Sequence, residues 1–556
     1  MGLNQNVLRR ILLLGTVRTA VDALHGPSPF FTDVDDPRNS THFAAFSILD
    51  ETATVGSLTA TLGPVEKPDA NPLFRGTEIW EHSIDNGYPT VLFDPLNSTG
   101  QGIYRVYYNA VDDGFPPAPG CPPEECGSGS AVLYATSDDG LVWKKPDLHR
   151  FTYANSTANN IIFPATSSLG IYDDGFHERN LSRRFKIWGN LGTDYNGGEG
   201  RRRLYSTVGG SAVSTDGVHL TDYRELQAKS DVDPDTWRFD CQTSLFYDPR
   251  QSAYSGTMRA YRPCDGLCGS CSIWWQPSGG CLDQISDTCT AEQCNATVRA
   301  IGLSTTIENS DDFATATWGP NVEVQANHTN PERQFYSQVT FPFFNVYLGI
   351  LMILDAADPP NTFNKSKVHC ELSFSHDAVN WQRIEPGREF IPLGSVEDKA
   401  WDSHVCFAAA FPVKEASEIR LYYMGGDGPH YSPPYPDPLH RNTSFGFATL
   451  RPDGFVALRA ADGSRGVGRT VPLLVTGSQL ILSADTAGSA AGSVSVQVFS
   501  SSVAGGILVC DAIVDENVTD AALGVCDQLE SLVGESVVVE FNVTGAAAIY
   551  TIGFRQ

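Results

Sequence analysis

Basic residues are scarce in this chain: 38 Lys and Arg stand against 65 Asp and Glu, a formal net charge of −27. Nucleic-acid partners are recognised through a basic face, so a phosphate-backbone partner is excluded. Anionic membrane surfaces would repel such a chain. Long apolar runs are missing too. The longest one beyond the N-terminus, Val346 to Ala357, is broken by Asp355, and a spanning helix needs roughly 20 residues. No long amphipathic helical stretch occurs, which leaves strands as the building material. What is present suffices for a core, because 41% hydrophobic with only 19% charged residues excludes wholesale disorder. The 556 residues fit three or four ordinary domains, or one large β domain with a smaller companion.

Several features point to the secretory pathway. Arg9 and Arg10 precede the apolar run Ile11 to Val17, and Val21-Asp22-Ala23 offers a cleavage site, so residues 1–23 read as a signal peptide. Asn-x-Ser/Thr sequons occur at Asn39, Asn97, Asn155, Asn180, Asn295, Asn327, Asn364, Asn442, Asn517 and Asn542. Cys264, Cys268, Cys271, Cys281, Cys289 and Cys294 crowd one segment. Cys268-x-x-Cys271 has zinc-like spacing, but an oxidising compartment favours a disulfide-stapled loop. Cys121–Cys126 and Cys510–Cys526 read as local bridges and Cys370–Cys406 as an inter-strand one, leaving Cys241 as a free thiol. A secreted or lumenal location is expected.

One pattern recurs five times, and repeats decide architecture. Ala135-Thr-Ser-Asp-Asp-Gly-Leu-Val-Trp143 is the clearest copy, with relatives around Asp216, Asp312, Asp377 and Asp453. The anchors lie 77, 96, 65 and 76 residues apart, the long interval holding the cysteine-rich insertion. Upstream of each lie two strand-like runs, for example Pro89 to Phe93 and Ile103 to Val111. Four antiparallel strands per unit, repeated radially, predict an all-β chain built as a five-bladed β-propeller over 67–464. Residues 24–66 are expected to pack on it. The period stops near Arg465, and the alternating runs over 465–556 predict a β-sandwich.

In a propeller the leading ends of the innermost strands converge at one mouth, so polar groups just before those strands are the candidates. The Asp-Gly turns, in contrast, read as turn caps. The candidates are Trp80-Glu81-His82, Asp240 with Gln242, Glu332, Trp401-Asp402 with His404, and His430 at the end of a blade-five strand. Glycoside hydrolysis needs convergent carboxylates, one protonated and one ionised, and Trp faces suit sugar stacking. Glu81 is expected to act as base or nucleophile, Asp240 as the fixed carboxylate, and Glu332 or Asp402 as acid. Trp80, His82, Gln242, Trp401, His404 and His430 are the expected substrate contacts.

The chain resembles secreted five-bladed propellers related to glycoside hydrolase families 32 and 43. The resemblance is carried by Asn71-Pro-Leu, Trp80-Glu81, Val91-Leu-Phe-Asp94, Tyr104-Arg-Val-Tyr-Tyr108, Phe239-Asp240, Phe246-Tyr-Asp-Pro249, Arg299-Ala-Ile-Gly302, Leu421-Tyr-Tyr423 and Asp453-Gly-Phe455, in order over residues 45–556. It implies a glycosidase acting on furanosides or related polysaccharides, with a carbohydrate as partner. The alternative is a non-catalytic glycan-binding propeller, since fold does not fix function. The Asn-Asp-Pro-Asn and Arg-Asp-Pro motifs of invertase-type enzymes are absent, so fructose specificity does not carry over. Glu124-Glu125-Cys126 imitates a Glu-Cys acid motif but falls in a cysteine-closed loop. No cofactor is required, no ligand spacing demands a metal, and room remains for a structural divalent cation in the channel. Oligomeric state is left open.

Overall fold

The computed structural model describes residues 42–50, 58–95, 102–117, 129–164, 166, 169–175, 178–189, 210–225, 227–228, 238–248, 250–263, 297–305, 317–319, 323–324, 333–355, 366–430, 432–433, 435–486, 492–500, 507–523 and 528–555. The expected signal peptide, the cysteine-rich segment, Cys121, Cys126, Cys526 and Glu332 lie outside them, as do Asn39, Asn97, Asn295, Asn327 and Asn364. Among the described residues almost every regular element is a strand, with three short 3-10 turns besides, and no helix is long and apolar enough to cross a membrane.

Strand pairing follows the repeat. Blade 1 is Thr90–Asp94, Ile103–Ala110, Ala131–Ser137 and Trp143–Lys144, each antiparallel to the next. Blade 2 runs Leu169–Asp173, Phe185–Gly189, Gly210–Ser214, Leu220–Glu225. Blade 3 runs Arg238–Thr243, Ala253–Pro263, Thr297–Thr305, Thr317–Gly319. Blade 4 comprises Arg333–Phe343, Val346–Asp355, Lys367–Ser375 and Asn380–Arg383. Blade 5 has Val405–Ala408, Ile419–Gly426 and Thr443–Leu450.

The fifth unit departs from the expected pattern. The strand after its Asp-Gly turn, Val456–Ala460, leaves the blade and pairs with Leu58–Leu62. Phe74–Arg75, from the start of the repeat region, takes the vacant edge beside Thr443–Leu450 and ties the ends of the ring together. The first strands of blades 1 to 4 lie against one another in sequence. A parallel bridge at Val368 and Val405 joins blades 4 and 5, and Ala410 N donates to Pro89 O at 3.1 Å to close blade 5 on blade 1.

Acids at the inner turns hold neighbouring blades together. Arg184 of blade 2 binds Asp94, Tyr254 of blade 3 donates to Asp174, Tyr347 of blade 4 donates to Asp248, and Tyr104 of blade 1 donates to Glu415 at 2.5 Å. A buried carboxylate keeps its place only when donors replace its lost water. Asp139 and Asp216 cap their Asp-Gly turns as expected, and Asp377 does the same ahead of Ala378, whereas Asp453 instead accepts from Ser483 Oγ of the sandwich at 3.2 Å and lies 3.6 Å from Lys414 Nζ. In each of three blades a Ser Oγ two residues upstream donates to the Asp, and two backbone N–H groups bind the same oxygen: Leu141 and Val142 at Asp139, Val218 and His219 at Asp216, Val379 and Asn380 at Asp377. Slight burial acts upward on the Asp377 carboxyl, but the N–H donors outweigh it and hold the group down to about 2.

The smaller unit is a two-sheet sandwich. One sheet contains Gln479–Asp485, Val518–Ala522 and Ala548–Arg555; the other contains Arg465–Arg469, Gly492–Ser500, Ile507–Val514 and Ser536–Gly545. Alternate burial along Ser536–Gly545 puts Val537, Val539, Phe541 and Val543 inside against Leu480 and Leu482. His42–Ala44 and Leu58–Leu62 also join the first sheet. The N-terminal segment thus joins the sandwich while also packing on the propeller, where Ala44 N donates to Asn345 Oδ1 at 2.9 Å, Leu62 N donates to Glu385 Oε2 at 2.7 Å and Phe46 meets Phe374. The sandwich sheet takes in Val456–Ala460, ahead of the expected boundary at 465.

Cys370 and Cys406 are buried free thiols, with Cys370 Sγ donating to Cys406 O at 3.3 Å. This corrects the expected Cys370–Cys406 bridge: the two residues flank the single inter-blade pairing of Val368 with Val405. Cys510 is disulfide-bonded.

Candidate active site at the channel mouth

Backbone geometry at the leading ends of the inner strands is irregular. Asp85 and Tyr88, just before the first strand of blade 1, have φ of 48° and 36°, and Gln242 in blade 3 has 58°. Non-glycine residues held there cost about 1–3 kcal/mol each and cluster at functional sites. Register shifts fall between Phe239 and Thr243 in blade 3 and between Phe335 and Ser337 in blade 4. Such bulges re-aim side chains.

Two of the strained residues, Asp85 and Tyr88, feed one hydrogen-bonded cluster. Asn86 Nδ2 donates to Tyr88 Oη at 2.7 Å and Tyr336 Oη at 3.1 Å, and the two phenol oxygens are 2.8 Å apart. His430 Nε2 lies 3.1 Å from Tyr336 Oη. Arg441, which precedes the third strand of blade 5, reaches Asn86 Oδ1 at 3.0 Å and Asp85 Oδ1 at 3.1 Å. Arg259 of blade 3 lies over the Tyr336 ring, 4.3 Å from its centroid. Residues from blades 1, 3, 4 and 5 therefore meet at the mouth. Within this cluster Asn86, Tyr88, Tyr336, Arg259 and Arg441 are buried, while the Asp85 side chain is 40% exposed.

The expected carboxylates divide. Glu81 has no exposed side-chain area. Its Oε2 accepts from Lys145 Nζ at 2.5 Å, Thr77 N at 2.9 Å and Glu78 N at 3.2 Å, and its Oε1 from Tyr108 at 2.5 Å. Asp402 is placed alike, with Oδ2 accepting from Lys67 Nζ at 2.5 Å and Tyr423 at 2.7 Å. Tyr108 and Tyr423 both lie on the second strand of their blades, and Lys145 and Lys67 both flank the outer edge. Trp80-Glu81 and Trp401-Asp402 are thus two copies of one internal staple. A carboxylate so enclosed cannot reach a substrate without breaking that staple, which corrects the placement of both acids in the channel. Asp240 lies in the shifted stretch of the blade 3 inner strand, and its side chain falls outside the described residues, as does Glu332.

Of the expected substrate contacts, His430 joins the cluster. Gln242 is a tie between blades, donating to Ala408 O at 2.9 Å and accepting from Ser337 Oγ at 2.5 Å. Trp80 Nε1 donates to Asn160 Oδ1 at 2.8 Å. Trp401 stacks on Tyr423 at 5.2 Å and lies against Gly425 and Gly446, where a Cβ would collide with its ring. His404 is half-buried beside Ser403 Oγ; burial first, then the charge on Lys367, lowers its imidazole below the usual value, which favours the neutral form. His82 sits at the rim, stacked on Tyr435.

Asp85, Asn86, Tyr88, Tyr336 and Arg441 were missed from sequence. The rule of seeking polar groups ahead of each inner strand applies to Asp85-Asn86-Gly87-Tyr88, but the neighbouring Trp80-Glu81 drew the assignment. Among the described residues no group of three or more His, Cys, Asp or Glu is placed to hold a metal ion.

No family model matches the chain, and no curated protein does. Solved structures align with it at low similarity. An N-acetylgalactosamine deacetylase from F. plautii, in complex with blood group B trisaccharide, is 15% identical over 70% of this chain and 95% of its own, with a TM-score of 0.38. A family 43 arabinoxylan arabinofuranohydrolase from Bacillus subtilis is 11% identical over 88% and 99%, with a TM-score of 0.34. A family 32 glycoside hydrolase from Bifidobacterium adolescentis is 11% identical over 89% and 82%, with a TM-score of 0.37.

Proposed function

We propose that the protein is a secreted glycoside hydrolase that binds its substrate at the channel mouth. The observation that carries this reading is Asp85: a half-exposed carboxylate on a strained turn, oriented by Arg441 beside a cluster of phenol, amide and imidazole groups suited to sugar hydroxyls. Hydrolysis needs two carboxyl groups across the scissile bond, one donating a proton to the leaving oxygen and one acting as base or nucleophile. Asp85 takes the role expected of Glu81. Asp240 and Glu332, by chain position at the leading ends of the inner strands of blades 3 and 4, are the partners this reading requires. The sugar is a furanoside or a related unit, as the family resemblance implies.

One observation favours the glycan-binding alternative: two of the four expected acids are locked in staples. Glycan release from arabinans, fructans, xylans and sulfated algal polysaccharides, by wild type, Asp85→Asn and Asp240→Asn, decides. Release by wild type alone supports the hydrolase. Retention on a glycan array without release, unaltered by either substitution, supports the binding propeller.

A further inference from the structure

Antiparallel strands bring particular loops to the mouth. The inner strand of blade 1 leads away from it and the second strand returns at Ala110; the second strand of blade 5 returns at Gly426. The segment around His82 and the loop 427–442 therefore share one rim. There His82 and Tyr435 stack with centroids 4.6 Å apart and planes 9° apart. Asp112 Oδ2 lies 3.6 Å from His82 Nδ1. Tyr435 is nevertheless 54% exposed, with Ile79 at 54% and Leu439 at 68% nearby in sequence to the two rings.

The loop that carries Tyr435 is tied down. Asp427 accepts from Asn442 N at 2.8 Å and Nδ2 at 2.9 Å, Arg441 N donates to Ser432 Oγ at 2.9 Å, and His430 N donates to Ser366 O at 2.9 Å. The same stretch supplies His430 and Arg441 to the polar cluster, so the ring belongs to a segment that also builds the mouth. An exposed, pre-oriented aromatic face beside a polar pocket matches the two-sided chemistry of a sugar, whose C–H face stacks while its hydroxyls bond.

We propose that Tyr435, braced by His82, is the platform for a second sugar unit, so that the ligand is an oligosaccharide lying across the rim with its terminal unit at Asp85. This rests on the reading of the mouth as a sugar site. The probes are trisaccharides of arabinose, xylose and fructose beside methyl glycosides of the same single sugars. Tyr435→Ala is expected to raise KM or Kd for the active trisaccharide about tenfold and leave Kd for the methyl glycoside, which has no second unit to stack, unchanged. Tyr435→Phe should retain wild-type behaviour, since the face and not the hydroxyl is used. Equal effects on both probes, or no effect on the trisaccharide, would overturn the platform while leaving the hydrolase intact. A wild type that neither cleaves nor binds any trisaccharide would remove both readings together.

Discussion

Glu81 offers the sharpest check on the distinction between structural and catalytic acids. Glu81→Gln keeps the shape of the side chain but removes the charge that faces Lys145, whose side chain is only 13% exposed. Breaking a buried ion pair at one end typically costs 3–5 kcal/mol, because the other charge is left uncompensated. The backbone N–H groups of Thr77 and Glu78 can still bond the amide oxygen, and Lys145 also reaches the Thr77 hydroxyl at 3.0 Å. The lower end, about 3 kcal/mol, is therefore expected. Urea unfolding followed by tryptophan fluorescence measures it, with Lys145→Met and the double variant completing the cycle. The pair should show strong coupling, the double variant losing much less than the sum of the single losses. Glycan release per folded molecule should be unchanged in Glu81→Gln. An unshifted unfolding midpoint with activity abolished would refute the reasoning and return Glu81 to the catalytic machinery.

Three further outcomes follow from the geometry. Asp377 has its carboxyl held below its unfolded value, so its contribution to stability is present above about pH 4 and is lost as pH falls toward 2. The melting-temperature gap between wild type and Asp377→Asn should accordingly be open at pH 6 and closed near pH 2. Gly140 has φ of 74°, and a Cβ there would meet the Tyr422 hydroxyl; Gly140→Ala should destabilise by about 1–3 kcal/mol, read as a lower denaturant midpoint. Cys370 and Cys406 should resist iodoacetamide in the native protein and both be alkylated in denaturant without reductant, as peptide mass spectrometry would show.

The all-β class and the order of strands were legible because each depends on local pattern. Asp-Gly turns and alternating runs state the antiparallel unit, and the predicted inner strand Pro89 to Phe93 and second strand Ile103 to Val111 lie within a residue or so of the observed ones. The caps at Asp139 and Asp216 were legible for the same reason: a Ser two residues ahead and two N–H groups just beyond complete them locally. The cap expected at Asp453 was not, because Ser483 of the sandwich takes that carboxylate. Which acids face the channel is not a local property. Glu81 and Asp85 are four residues apart, yet one is enclosed by Lys145 and Tyr108 and the other lies open beside Arg441, 356 positions away along the chain. The edge strand Phe74–Arg75 and the free thiols of Cys370 and Cys406 were likewise decided by contacts distant in sequence. Sequence by itself determined the repeating unit, since hydrogen bonding within a hairpin needs only neighbours. Tertiary structure decided which carboxylates stay available, since the partner that buries an acid arrives from another strand or another blade.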